Sequence, residues 1–397
     1  MSYLKFTADY IFTGYEIISG KNSVLITHEN GKIEAIVPKE KAGDGIQAFN
    51  GILTPGFINC HCHLELSHLK KVIPPNTGLI PFLISVPKYR EANFETIQNA
   101  IENATTELYN SGTVAVGDIC NNTATISIKK NSTLHFYNFI EAIGFQDSNA
   151  ESRFNLYENV YNLFKTELSN QLNSIVPHAP YSVSKKLFEL INLQSSEKTI
   201  CIHNQETIEE TKWFKNKEGE FINLFNALQI DSSSFIPSGK SSLQTYLPHL
   251  TNVKNIILVH NSFTTYGDIE FALHHAKKFN QNIFWCICNN ANLYIEQTSP
   301  PIKTLKDQNC TLVIGTDSYS SNWSLNMLDE IKTILQSSNN NYSTSEVLQW
   351  ATINGATALQ MQSHLGSFDT GKIPGIVLIE NTINQSIIKE STTRRII

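Results

Sequence analysis

The segment Pro55-Gly56-Phe57-Ile58-Asn59-Cys60-His61-Cys62-His63-Leu64-Glu65-Leu66-Ser67 constrains this chain more than any other. A Pro-Gly turn releases an apolar run that ends in two histidines separated by one residue. In an extended chain alternate side chains share a face, so His61 and His63 stand side by side while Cys60 and Cys62 point the other way. Imidazoles about 7 Å apart along a strand can converge on one metal ion with bonds of about 2.0–2.1 Å. Taken alone, the pair reads more readily as two histidines at a wet strand end. The remaining ligands must therefore come from elsewhere in the chain. The same alternation argues against a Cys-His-Cys-His zinc knot, because thiols and imidazoles face opposite ways.

At 397 residues and 41% hydrophobic content, the chain can bury a large core, either as two ordinary domains or as one large barrel with an accessory unit. A net charge of -6 with 17% charged residues offers no basic surface for nucleic acid or an anionic membrane. The first ten residues lack the basic start, apolar run and small-residue cleavage site of a signal peptide. No apolar run approaches the roughly 20 residues that span a bilayer. The expectation is a soluble, cytoplasmic protein. Seven cysteines, Cys60, Cys62, Cys120, Cys201, Cys286, Cys288 and Cys310, lie in or beside apolar runs and read as reduced, buried thiols rather than a disulfide framework.

Both ends of the chain read as β structure. Residues 23–37 form an expected hairpin, with Asn30-Gly31 supplying both positive-φ turn positions. Residues 365–368 and 374–379 are expected short strands among Gly and Pro punctuation. Neither piece can close a core alone. The expectation is one small accessory β-sandwich, built from 1–54 and 363–397, beside a central domain over 55–362.

Within the central domain short apolar strands alternate with helical stretches, the pattern of a parallel sheet with crossover helices. After the first strand, apolar runs fall at 113–116, 134–139, 174–178, 199–203, 255–260, 283–288 and 311–317. Eight such strands make an α/β fold of the (β/α)8 TIM-barrel class, which needs about 250 residues or more. Histidine placement is the stronger signal. His61, His63, His178, His203, His260 and Asp317 each end an apolar run or share the first one, and C-terminal strand ends are where such barrels gather chemistry. His28, His135, His249, His274, His275 and His364 lack that placement and read as surface or packing residues.

Three imidazoles and a carboxylate, His61, His63, His203 and Asp317, suit one borderline divalent ion, zinc first and iron second, with a position open for water. Glu206 follows His203 by three residues and can swing back over the ion as a proton carrier if the chain turns at the strand exit. It reads otherwise as a solvated Glu beside Glu209 and Glu210. His260 and Asp317 can flank a water whose pKa such an ion lowers from about 15.7 to near 7. Asp317 then doubles as hydrogen-bond acceptor while His260 stabilises developing charge. The plainer reading of His260 is a buried imidazole bonded to a carbonyl.

These residues carry a resemblance. His-x-His after Pro55-Gly56-Phe57-Ile58-Asn59, then Pro177-His178-Ala179-Pro180, His203-x-x-Glu206, Val259-His260 and Gly315-Thr316-Asp317-Ser318 resemble the amidohydrolase superfamily. The branch is that of cytosine and guanine deaminases, triazine hydrolases and adenosine-type deaminases, and the resemblance covers nearly the whole chain. His63-Leu64-Glu65-Leu66-Ser67 is similar to aminodeoxyfutalosine deaminases. The resemblance implies His61, His63, His203 and Asp317 as metal ligands, Glu206 as proton shuttle, and His260 beside the hydrolytic water. It implies His178 as a substrate contact, and one metal rather than two, because two-metal members carry a bridging lysine on that strand. Glu65 is expected either to accept hydrogen bonds from the substrate or to be a rim charge.

The implied reaction is deamination of a purine-type or related small-molecule heterocycle through a metal-bound hydroxide, and the family allows a homodimer. Two other readings stay open: a hydrolase releasing something other than ammonia, and a non-catalytic binding protein. The chain departs from its relatives at Cys288-Asn289-Asn290-Ala291-Asn292, where Cys-Pro-x-Ser-Asn is usual, and at Gly371-Lys372-Ile373-Pro374-Gly375, where Gly-Lys-x-Ala-Asp is usual. Residues 73–82 and 231–240 are candidate specificity loops or plain connectors.

Overall fold

The computed structural model describes residues 3–337 and 342–397. Eight parallel strands carry the middle of the chain: β1 (Phe57–Cys62), β2 (Thr113–Cys120), β3 (His135–Ala142), β4 (Leu172–Pro177), β5 (Thr199–Asn204), β6 (Asn255–His260), β7 (Asn282–Ile287) and β8 (Thr311–Ile314). Consecutive strands pair in parallel, β1 to β4 in one sheet and β5 to β8 in a second. Hydrogen bonds also run between the sheets. Ser174 Oγ donates to Thr199 O at 2.7 Å and His203 N to His178 O at 3.0 Å. At the other margin the amides of Thr316 and Asp317 donate to His61 O at 3.1 and 3.0 Å.

The strands form where the sequence offers continuous apolar runs, as in Ile256-Ile257-Leu258-Val259, all buried. Such runs suit strands covered on both faces. Helices cover them through narrow apolar stripes. Asn93 caps the helix Phe94–Asn110 by accepting from Thr96 N at 2.8 Å, and that helix buries Ile101, Ala104, Thr105 and Leu108, the spacing of one helical face. Gly315, just past β8, is a close-approach position. A Cβ there would lie 2.9 Å from both His61 Cβ and Cys286 Sγ, so only glycine lets the chain after β8 pass this near to β1.

The strand bounds differ from expectation in one consequential place. The run expected at 134–139 continues to Ala142 in β3, and the extra residues bring Glu141 to the strand's end. All seven cysteines are free thiols, six of them buried. Among the described residues no helix is long and apolar enough to cross a membrane.

The terminal segments form two further sheets. Strands Tyr3–Thr7, Ser23–His28, Ile33–Pro38 and Ile46–Ala48 make one of them. Strands Tyr10–Phe12, Ile17–Ser19, Ile52–Pro55, Ile376–Glu380 and Thr392–Arg395 make the other. Within it Ile52 pairs with Ile379 in antiparallel register, so both ends of the chain share a sheet. Phe6, Ile11, Leu25, Leu53, Phe368 and Leu378 fill the core between them. Two expectations are corrected here. The 23–37 hairpin forms, but only Gly31 has positive φ, at 81°. His28 N reaches Lys32 O at 2.9 Å, so the loop is longer than a two-residue turn and Asn30 needs no left-handed backbone. Residues 365–368 are irregular rather than a strand, because Phe368 N bonds Thr13 O singly, without a ladder.

Candidate metal centre and active site

The strand exits bring the expected residues to one place. His61 lies near the end of β1 and His63 just past it, His203 near the end of β5, His260 at the end of β6, and Asp317 on the segment after β8. His61 Nε2 and His63 Nε2 are 3.0 Å apart. Asp317 Oδ1 is 3.5 Å from His61 Nε2 and 3.2 Å from His63 Nε2. His203 Nδ1 lies 3.1 Å from His260 Nε2. His61, His63 and Asp317 offer donor atoms within 4.8 Å of one another, and so do His61, His203 and His260.

The backbone bends sharply to achieve this. Gln205, His260, Asn261 and Asp317 all have left-handed φ, at 47°, 72°, 59° and 58°, a conformation that costs a non-glycine residue of order 1–3 kcal/mol. The turn at Gln205 folds Glu206 inward, where it is buried with Oε1 3.7 Å from His260 Nε2. It is not the solvated surface Glu of the plainer reading.

The donor set fits a divalent cation. Burial pushes His63 down to about 3 and His61 and His260 to about 4, so these imidazoles are neutral, as ligation requires. Burial opposes charge on Asp317 as well, but His61, His63 and His260 overcome it and hold the carboxylate well below its usual range. Burial also works to lower His203, yet the nearby carboxylates of Glu141, Glu206 and Asp317 outweigh it and lift the group to about 9. That field favours a cation at this spot. His203 Nε2 is buried and makes no well-formed hydrogen bond, its nearest acid being Glu141 Oε1 at 3.5 Å, as suits a donor atom kept for an ion.

Ring orientations are set from behind. Asn292 Oδ1 can only accept, so at 2.7 Å it holds the proton on His260 Nδ1 and leaves Nε2 bare toward the site. Asn292 lies in the Cys288-Asn289-Asn290-Ala291-Asn292 stretch that departs from the usual pattern, in the helix Asn289–Glu296. The changed residues thus leave its contact with His260 in place. Behind His61, Nδ1 meets Cys201 Sγ at 3.2 Å.

A cavity of about 480 Å³ opens above these groups, within the size range of small-molecule sites. His63, His178, His203, Glu206, His260 and Asp317 line its floor. Leu79, Phe82, Leu83 and Val86 of the helix Leu79–Tyr89 form one wall, and Leu224, Phe225, Leu228 and Ile230 face them. Of the two candidate specificity loops, 73–82 reaches the cavity through Leu79 and Phe82, and 231–240 through Asp231 alone. His178 is half-buried, its Nδ1 2.6 Å from Ser182 Oγ. Burial raises the Glu206 carboxyl to about 8.

Glu65 departs from both of its expected roles. It is 3% exposed and does not line the cavity. Its carboxylate is an ion-pair partner of Arg90 and accepts from Asn121 N at 3.0 Å. Arg90 and Asn121 line the cavity in its stead. Sequence reasoning missed them, and it missed Glu141, which lies 3.5 Å from His203 Nε2 and forms a third donor cluster with His178 and His203. The signal for Glu141 was a buried-strand run, Phe139-Ile140-Glu141-Ala142, interrupted by an acid. Arg90 and Asn121 sit in polar stretches with no such mark.

Known proteins resemble this chain in sequence and in fold. A Helicobacter pylori adenosine deaminase is 28% identical over 293 residues, 73% of this chain and 69% of that protein. An aminodeoxyfutalosine deaminase from a Nitratiruptor species is 26% identical over 340 residues, 83% of this chain and 79% of that one. Among solved structures, Helicobacter pylori aminofutalosine deaminase in complex with methylthio-coformycin superposes with a TM-score of 0.81 at 23% identity, over 96% of this chain and 94% of that one. The amidohydrolase family model matches residues 52–397, and this chain belongs to the amidohydrolase family.

Proposed function

We propose that this protein is a metal-dependent deaminase that hydrolyses the amino group from the adenine-type ring of a nucleoside, with aminodeoxyfutalosine and 5'-modified adenosines as the first candidates. One observation carries the reading: ligand-type groups from separate strand exits converge on the floor of one apolar-walled cavity, with a buried carboxyl, Glu206, beside them. The names of the relatives support the substrate class. In this reading His61, His63, His203 and Asp317 hold the ion, zinc before iron. Bound there, the ion would supply Lewis acidity that makes water a nucleophile near neutral pH.

The chain's own groups do the rest. Burial alone raises the Glu206 carboxyl to about 8, but a cation beside it would hold it as the carboxylate. Glu206 takes one proton from the attacking water and delivers it to the ring nitrogen next to the amino-bearing carbon, the task of a non-ligand Glu in nucleobase deaminases of another fold. The water's other proton goes to the amine, which leaves as ammonia as the carbonyl forms. His260, fixed in one tautomer by Asn292, turns an unprotonated Nε2 to the same water. Asp317 and His260 share the water's second proton as hydrogen-bond acceptors. His178 reaches the substrate from the β4 exit, and the apolar walls keep bulk water out. The two parallel sheets are read as one closed (β/α)8 barrel over 55–362, and the terminal segments as its accessory β-sandwich. The hydrogen bonds at both sheet margins support that closure.

The test is ammonia release from a panel of aminodeoxyfutalosine, methylthioadenosine, adenosylhomocysteine, adenosine, guanine and cytosine, with zinc-loaded and chelator-stripped protein. Turnover of an adenine nucleoside by the loaded form alone is the expected result. Loss of a different leaving group, or no turnover of any member, would sink it.

A further inference from the structure

Behind the site lies a buried ion pair that the reaction does not use. Lys129, on the short helix Ile126–Asn131, is 1% exposed. Its Nζ meets Asp118 Oδ2 at 2.5 Å, Asn138 Oδ1 at 2.7 Å and Cys120 Sγ at 3.2 Å, and it sits 5.0 Å from the Phe136 ring centre. Asp118, on β2, is fully buried. Neither residue lines the cavity. A pair this deep is a poor device for stability, because desolvating two charges offsets their attraction, and apolar replacements are often neutral or better.

The free oxygen of Asp118 shows what the pair holds. Asp118 Oδ1 accepts the backbone N–H of Leu64 at 2.8 Å. Leu64 follows His63 directly and opens the turn Leu64–Leu69. The β1–β2 register shifts between Asn59 and Cys62, so Asp118 stands level with Cys62 rather than where a regular ladder would put it. His63 lies beyond the end of β1 and has no strand ladder to fix it. We propose that Asp118 is a positioning residue and that Lys129 balances its buried charge. Asp118 holds the turn after β1, and that turn keeps the His63 imidazole beside His61 and Asp317. The proposal rests on the reading that these three side chains bind the ion.

The experiment measures Zn²⁺ affinity by chelator competition and records the visible spectrum of the Co²⁺-loaded protein. The D118L/K129M variant removes both charges and the Leu64 acceptor, whereas D118N/K129M removes the charges but keeps an amide oxygen for that N–H. The expected result is a Zn²⁺ affinity about 10–100-fold weaker and an altered Co²⁺ spectrum for D118L/K129M. D118N/K129M is expected to stay within about threefold of the parent, in line with a retained contact. Should D118L/K129M fold poorly, D118A/K129M serves as the acceptor-less arm without leaving a buried charge unpaired, with the same loss expected. An acceptor-less variant that binds Zn²⁺ and Co²⁺ like the parent overturns the proposal, as does an equal loss in D118N/K129M. Failure of the parent protein itself to bind either ion would instead overturn the metal-centre reading.

Discussion

Single side chains at the site divide into those that face the cavity and those that orient them. Glu206 is the clearest of the first kind, since it is buried, lines the cavity and completes neither of the two clusters built around His61. E206Q keeps the size of the side chain but carries no titratable proton. Its kcat is expected to fall by about 10²–10⁴-fold with zinc content unchanged, as read by elemental analysis beside an ammonia assay. Metal loss in that variant would make Glu206 a ligand instead. Asn292 is the second kind, and Leu there fills similar space without an acceptor for His260 Nδ1. N292L is expected to lower kcat about 10–100-fold with little change in KM. An equal rise in KM would mean that Asn292 acts on substrate binding.

At the scale of elements, the wall helix Leu79–Tyr89 is tied to the helix that follows β7. Leu79 N donates to Glu296 Oε1 at 2.8 Å, and Tyr294 Oη donates to Ile73 O at 2.6 Å. Phe82 packs with Ile73, Leu79, Tyr294 and Ile295 and also faces the cavity. Truncating it removes apolar contact area from the bound substrate without touching the reacting groups. A side chain of this size is worth about 1.5–3 kcal/mol when buried. F82A is therefore expected to raise KM about tenfold and leave kcat within about threefold. Steady-state kinetics on the best nucleoside of the panel decides this, and an unchanged KM would show that the wall helix stands clear of the substrate. This contact was half legible. The Pro and Gly punctuation at 73–82 marked a connector, but only packing against residues 294–296 made it a wall.

For the whole molecule, pH dependence of stability has a separable source in Glu330. It is fully buried, and its oxygens accept Asn290 N at 3.1 Å and Asn322 Nδ2 at 2.8 Å. Burial pushes its carboxyl up to about 8. The folded state then holds a proton that the unfolded chain releases near pH 4.5. Glu330 therefore favours folding most below that pH, and its contribution is lost as pH rises through about 8. Between those values the parent should lose up to about 1.4 kcal/mol per pH unit from this group, and E330Q should lack that slope. Denaturant melts from pH 5 to 9 compare the two, and parallel curves would refute the assignment. Metal removal acts on the same scale. A ligand held at 1,000 times its Kd stabilises the native state by about 4.1 kcal/mol, so a chelator should lower Tm, and a Tm indifferent to it would argue against a bound ion.

The backbone's own repeat made much of this legible from the chain alone. Alternation in a strand puts His61 and His63 on one face whatever else the protein does, and apolar runs ending in His203 and His260 marked strand exits before any contact was known. Asp317 was readable for the same reason, as the acid after the last such run. What depends on register and on contact between distant segments was not. The inward turn of Glu206, the acid at the end of β3, the capture of Glu65 by Arg90 and the support of His63 by Asp118 each pair residues that no local pattern links. A periodic pattern is a property of one segment, whereas a buried polar group's partner is chosen by whichever elements pack around it, and only the assembled fold makes that choice.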